Sequence, residues 1–183
     1  MHRWRWWRLQ RRLSEAAVVV LDVDGVLTDG GLWYGPNGEL IKRFDVRDGL
    51  GIRLLQQAGL EVALLSGGRG GATEVRAEHL GIQHCSVGAK DKPVALQELA
   101  GRLAVNPESM LFVGDDLNDL AVLGCVGALI ATADAALPLR RRADAVLRRS
   151  GGRGAVRELA ERLLRARGLW AQLSREGWRD RND

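Results

Sequence analysis

The chain lacks most of the features that assign a protein quickly. Only two of its 183 residues are cysteine, Cys85 and Cys125. They follow no metal-ligand spacing and suggest no disulfide framework, which fits a reducing compartment and a cytoplasmic location. No apolar run approaches the ~20 residues of a membrane span, and no signal-peptide core follows the basic N-terminus. No internal repeat is visible. An excess of one charge is also missing from the body of the chain. Residues 1–12 hold five arginines and no acid; without them 22 basic residues face 23 acidic ones, so the overall +4 becomes −1. Charge therefore argues against a nucleic-acid partner. A hydrophobic content of 46% at this length predicts one domain with a proper core.

What is present is organised around residues 16–30, AAVVVLDVDGVLTDG. The run Val18–Leu21 is continuous, apolar and β-branched, which predicts a strand buried on both faces in a parallel sheet. It ends in Asp22-Val23-Asp24-Gly25. Carboxylates at i and i+2 of an extended backbone point the same way, and the end of a buried strand is where open α/β sheets bind ligands. Two acids this close repel unless a cation or a proton resolves them. A hard cation such as Mg2+ suits a few carboxylates with water and phosphate. Gly25 allows a backbone conformation and a close ligand approach that a side chain would forbid.

Strand and helix signals alternate along the rest of the chain. Leu32-Trp33-Tyr34 and Leu40 to Phe44 flank Gly-Pro-Asn-Gly, a hairpin signal over residues 31–45. A helix follows over residues 48–58. A second buried strand, Glu61–Leu65, ends in Ser66-Gly67-Gly68-Arg69, where a hydroxyl and open amides suit a phosphate oxygen. Helix 71–80 and a short strand at 82–87 come next. Asp91-Lys92-Pro93 opens another helix, with the proline in its first turn. A strand at 110–113 ends in Gly114-Asp115-Asp116-Leu117-Asn118-Asp119, too many carboxylates for a plain turn. Strands at 126–131 and 145–147, a glycine-rich stretch at 151–155 and a helix at 156–167 complete the domain. The expected fold is α/β: a doubly wound, Rossmann-like parallel sheet with helices on both faces and a hairpin inserted after the first strand. That topology brings Asp22, Ser66, Lys92 and Asp115 to one edge. The domain is expected over residues 16–168. A basic, tryptophan-rich extension precedes it (1–15) and a tail follows (169–183). The extension makes a poor amphipathic stripe, with Trp6, Leu9 and Leu13 on one face. Its membrane contact and its docking on the domain are both open readings.

The order DxDGVLT, SG, Lys and GDDxND resembles the four motifs of the haloacid dehalogenase superfamily, the aspartate-nucleophile phosphatases. The resemblance implies that Asp22 attacks phosphorus and that Asp24 serves the leaving alcohol and the water as acid and base. It also implies that Ser66 and Lys92 bind the phosphate. Asp115 would hold Mg2+ with Asp22 and the Asp24 carbonyl, supported by Asp116 and Asp119. Such roles suit phosphoryl transfer, which needs positioning and positive charge.

TDGGLWYGPNGELIKRFDVRDGLGI, EVRAEHLGI and GGRGAVREL are further similar to the 3-deoxy-D-manno-octulosonate 8-phosphate phosphatase family. That resemblance implies a capless enzyme for a small phosphorylated acidic sugar, built as a homotetramer through its hairpins. Arg153, in a flexible glycine-rich tail, would reach a neighbour's site. Gly25, Gly67, Arg69 and Asn118 would meet the substrate. The family usually has arginine directly after Ser/Thr-Gly, where this chain has Gly68. Related nonulosonate 9-phosphate phosphatases and a non-catalytic, phosphatase-like binding module are therefore the alternatives.

Overall fold

The computed structural model describes residues 3–38 and 40–177; residues 1–2 of the extension, Glu39 of the hairpin and residues 178–183 of the tail lie outside it. Helix α1 (Arg3–Glu15) leads into β1 (Val18–Leu21), and the hairpin strands β2 (Trp33–Tyr34) and β3 (Leu40–Ile41) follow. Next come α2 (Val46–Gln57), β4 (Glu61–Leu65), α3 (Ala72–His79), β5 (His84–Ser86) and α4 (Lys92–Leu103). The second half holds β6 (Met110–Gly114), β7 (Ala128–Ala131), α5 (Leu137–Arg142), β8 (Ala145–Val146), α6 (Ala155–Ala166) and α7 (Trp170–Glu176).

Six strands form a parallel sheet in the order β5-β4-β1-β6-β7-β8, with β1 at its centre. Val18 pairs with Glu61 on one side and with Met110 on the other. Because side chains alternate across a strand, the central strands feed two separate cores. Val19, Leu21, Leu64 and Val113 pack under α1, α2 and α6 with Leu13, Ile52, Leu55 and Leu159. Val18, Val20, Leu65 and Phe112 pack on the opposite face with Leu96, Leu99 and Leu139 of α4 and α5. The expected α/β fold is the fold observed, with no cap domain among the described residues.

Helix α1 belongs to this body. Its stripe is narrow, yet Leu9 and Leu13 are buried in the first core and the Arg162 guanidinium lies 4.0 Å from the Trp6 ring centroid. Trp4 and Trp7 stay exposed, so only one of the three tryptophans docks. Helix α7 forms within the segment expected as a tail, its Trp170 ring lying 4.7 Å from the Arg165 guanidinium.

The hairpin is the outlier. Among the described residues only Trp33↔Ile41 and Tyr34↔Leu40 pair in its two-stranded sheet, and Trp33, Tyr34 and Ile41 are exposed. The expected glycine-rich tail is also different in kind. Gly151 and Gly152 are buried against the turn that follows β1, where a side chain on Gly151 would collide with the Gly25 carbonyl. Gly152 N–H donates to the Val26 carbonyl, and Gly154 N–H donates to the buried Asp48 carboxylate at 3.0 Å. Glycine serves close approach here. The stretch is a packed connection into α6 and not a free tail.

Candidate active site

The carboxyl edge of the sheet gathers the motif residues from three adjacent strands. Asp22 follows β1 directly; its N–H donates to the Val113 carbonyl, which continues the ladder by one residue. The next turn is wound around one carbonyl: Val23 O accepts from the amides of Val26, Leu27 and Thr28. The hydroxyl of buried Thr28 accepts from Gly25 and Gly30. Gly25 sits at φ +79°, and any side chain on it would occupy the space of the Asp115 carboxylate. A single glycine thus satisfies the turn and lets the first acidic motif meet the last one.

Lys92 opens α4 behind the Asp91 N-cap, and its side chain is only 3% exposed. A solvated lysine at a helix start would look different. Its ammonium donates to Asp22 Oδ2 at 2.9 Å and to Asp119 Oδ1 at 2.5 Å. The other Asp119 oxygen accepts from the amides of Asp115 (2.8 Å) and Asp116 (3.3 Å). Both Asp119 oxygens are therefore committed within the chain. Asp116 is exposed and caps the short turn Leu117–Val122 through the Leu117 amide. Ser66 is buried and caps no helix, since α3 starts at Ala72; its hydroxyl accepts from Gly68 N–H at 3.1 Å.

Asp22, Asp24, Ser66 and Asp115 share an open cleft of about 640 Å³ with Gly25, Gly67, Asp116 and Asn118. Two predicted contacts are elsewhere. Arg69 is exposed and does not line the cleft. Arg153 stands 3.7 Å from Asp29 and lines a separate cleft with Arg47, Arg149 and Arg157.

The electrostatics call for a further positive charge. One ammonium, Lys92, faces three carboxylates, and one oxygen from each of Asp22, Asp115 and Asp119 can be found within 4.8 Å of the others. Burial raises the Asp22 carboxyl to about 6 despite Lys92, with Asp119 adding to the rise. Burial raises Asp115 to about 7, reinforced by Asp22, Asp119 and Asp116. Burial alone would lower Lys92, but Asp22 and Asp119 outweigh it and its value rises. Buried Asp22 and half-buried Asp115, both at the wall of an open cleft, fit the hard, oxygen-loving Mg2+. The Asp24 side chain is not part of this cluster.

Asp24 is held instead by a residue that the sequence reading missed. Lys42, just beyond β3, places its ammonium 2.8 Å from Asp24 Oδ1 and 2.9 Å from Oδ2. Leu40, Lys42 and Phe44 alternate along one face of that strand, so a lysine at an inward position was the available signal.

The haloacid dehalogenase-like hydrolase family matches residues 39–127 of the chain. The 3-deoxy-D-manno-octulosonate 8-phosphate phosphatase of Escherichia coli K12 is 47% identical over 151 residues, covering 82% of this chain and 80% of its own. The Yersinia pestis phosphatase of the same name is 44% identical over 156 residues, covering 85% and 83%. A crystal structure of the Moraxella catarrhalis phosphatase, in complex with a magnesium ion, a phosphate ion and a KDO molecule, superposes with a TM-score of 0.90 at 32% identity, covering 93% of this chain and 98% of that one.

Proposed function

Because the chain belongs to the 3-deoxy-D-manno-octulosonate 8-phosphate phosphatases, a family of haloacid dehalogenase-like hydrolases, we propose that it hydrolyses that sugar phosphate through a phospho-aspartate at Asp22. Phosphoric monoester hydrolysis is the family's chemistry. The observation that carries the reading is the Asp22–Lys92–Asp119 chain beside Asp24 and Asp115 in one open cleft.

Asp22 Oδ1 is fixed by its own following amide, Val23 N–H, at 2.7 Å, and Oδ2 by Lys92. The carboxylate is thus oriented before substrate arrives, which is the part of the barrier that positioning removes. Asp22 attacks phosphorus while Asp24 gives a proton to the leaving sugar oxygen. Asp24 then takes a proton from the water that attacks the phosphorus of phospho-Asp22 and frees the aspartate. Lys92 and the Ser66 hydroxyl neutralise and orient the phosphate oxygens. Mg2+, when bound, supplies positive charge against the phosphate oxygens; the side chains of Asp22 and Asp115 and the Asp24 carbonyl would hold it. Asp119 and Asp116 act behind them, fixing Lys92 and the loop amides.

Gly25, Gly67 and Asn118 line the cleft and are proposed to meet the substrate. Arg69 would reach the acidic end of the sugar, and Arg153 that of an adjacent subunit. Assembly as a homotetramer through the hairpins is supported by their exposed Trp33, Tyr34 and Ile41, since an isolated hairpin with open edges is marginal in water. A cytoplasmic location fits the two free cysteines. No described helix is long and apolar enough to cross a membrane.

Phosphate release from the eight-carbon acid 8-phosphate, compared with nonulosonate 9-phosphates, tests the reading. The expected outcome is Mg2+-dependent turnover of the eight-carbon substrate, abolished by EDTA. Preference for a nine-carbon acid would reassign the substrate, and no turnover of either would overturn it.

A further inference from the structure

Lys42 is a buried charged side chain that the mechanism above does not use. It comes from the inserted hairpin and not from the sheet, yet its side chain is only 1% exposed. An ammonium buried this far is costly unless paired and hydrogen-bonded. Its partners are the Asp24 carboxylate and, at 3.4 Å, the hydroxyl of buried Thr73 in the first turn of α3. Three segments of the chain therefore meet at Nζ: the hairpin, α3 and the turn after β1.

The geometry at Asp24 is asymmetric. Oδ2 takes the aligned hydrogen bond from Lys42. Oδ1 is in charge contact with the same ammonium but has no aligned hydrogen-bond donor, although the atom is buried. Oδ1 is thereby enclosed against the ammonium, and since the side chain as a whole is 34% exposed, Oδ2 is the oxygen that faces the cleft and keeps a second lone pair for a proton. Gly68 closes the opposite side. A side-chain carbon there would lie 3.0 Å from Asp24 Oδ2, 3.4 Å from Ser66 Oγ and 3.7 Å from Lys42 Nζ. Glycine leaves room for the carboxylate between the lysine and the backbone of the phosphate loop.

We propose that Lys42 is a positioning residue: it fixes the Asp24 carboxylate so that its cleft-facing oxygen, Oδ2, delivers the proton to the leaving sugar oxygen. This rests on Asp24 being the acid and base of the reaction. In the first step the Asp22 oxygen–phosphorus bond forms, the phosphorus–sugar oxygen bond breaks and the Asp24 proton goes to that sugar oxygen. In the second step water attacks phosphorus, its proton returns to Asp24 and the bond to Asp22 breaks. Lys42 makes no covalent change in either step. Because it is carried by the hairpin, the same contact ties the acid–base group to the segment proposed to assemble.

The test compares two leaving groups. A sugar alkoxide needs a proton to depart; p-nitrophenolate does not. kcat/KM reports only the steps up to leaving-group departure, so it isolates the acid. Lys42→Met should lower kcat/KM for 3-deoxy-D-manno-octulosonate 8-phosphate by ~10²-fold, while that for p-nitrophenyl phosphate changes less than ~3-fold. Its kcat on p-nitrophenyl phosphate should still fall, because the second step uses Asp24 as base whatever alcohol has left. Lys42→Arg should recover part of the loss. Should Lys42→Met fold poorly by circular dichroism, Lys42→Gln keeps a neutral donor for Asp24 and carries the same comparison. Asp24→Asn is the reference and should show the same leaving-group pattern. An equal loss of kcat/KM on both substrates, or no loss on either, would overturn the role of Lys42. A missing pattern in Asp24→Asn would instead overturn the acid–base reading of Asp24, and with it this proposal.

Discussion

Two buried lysines divide the acidic pair of the first motif between two very different parts of the molecule. Lys92 starts a helix of the doubly wound body and holds Asp22; Lys42 leaves a two-stranded hairpin and holds Asp24. The body around Lys92 is closed. Its partner Asp119 is fully buried, Phe112 lies 5.5 Å from its ammonium, and the strands on either side are paired on both edges. The hairpin around Lys42 has exposed aromatic residues and two residue pairs of ladder. The attacking carboxylate is therefore fixed by the fold itself. The proton-handling carboxylate is fixed by an insertion that needs further packing to be rigid. Different changes should break the two halves differently.

The largest effect belongs to Asp22. Asp22→Ala should lower kcat by ~10³-fold or more, since it removes the nucleophile while leaving binding groups in place; phosphate release under saturating substrate measures this. Lys92→Met should follow with a loss of ~10²-fold, because it strips the only ammonium from three facing carboxylates. A smaller effect is expected in the hairpin. Ile41→Asp, which puts a charge on an exposed apolar position, should shift the assembly toward smaller species in light scattering and lower kcat/KM about tenfold. A monomeric wild type with full activity would remove the assembly half of the comparison.

The last effect is on stability and concerns the closed body alone. Asp22 and Asp115 have folded-state values above the ordinary 3.8, at about 6 and about 7. Between the unfolded and folded values the folded chain binds more protons than the unfolded one. Stability of the metal-free protein should therefore fall as pH rises from about 4 to 7 and stay low above that. Asp115→Asn should raise the metal-free Tm at pH 8 by about 3–8 °C and leave it nearly unchanged at pH 4. Mg2+ should raise the Tm of the wild type more than that of the variant, which differential scanning calorimetry can compare.

The same division explains what could be read from the residues. The closed body was legible because its signals are local: a β-branched run, then a DxDG turn, then acids or a lysine at the next element boundary. Lys42 was hidden because its role depends on the inward alternation of a very short strand, and a lysine on a hairpin reads as solvated. α1 was hidden for a related reason: Trp6, Leu9 and Leu13 suffice to dock it, although the rest of the helix is mostly arginine and exposed tryptophan. The glycines at 151–154 read as flexibility, whereas two of them are required by close approach to the turn at Gly25 and Thr28. Composition alone does not separate a mobile glycine from a tightly packed one.

The central claim is that Asp22 carries the phosphoryl group and that water, with Asp24 as its base, removes it. Acid-quenching Asp24→Asn during turnover of p-nitrophenyl phosphate with Mg2+, followed by peptide mass spectrometry, tests it most directly. The account predicts one added phosphoryl group on the peptide that contains Asp22, and none on Asp22→Ala treated alike. Phosphate released by the wild type with no phosphoryl adduct on Asp22 in the slowed variant, or an adduct on another residue, would contradict it.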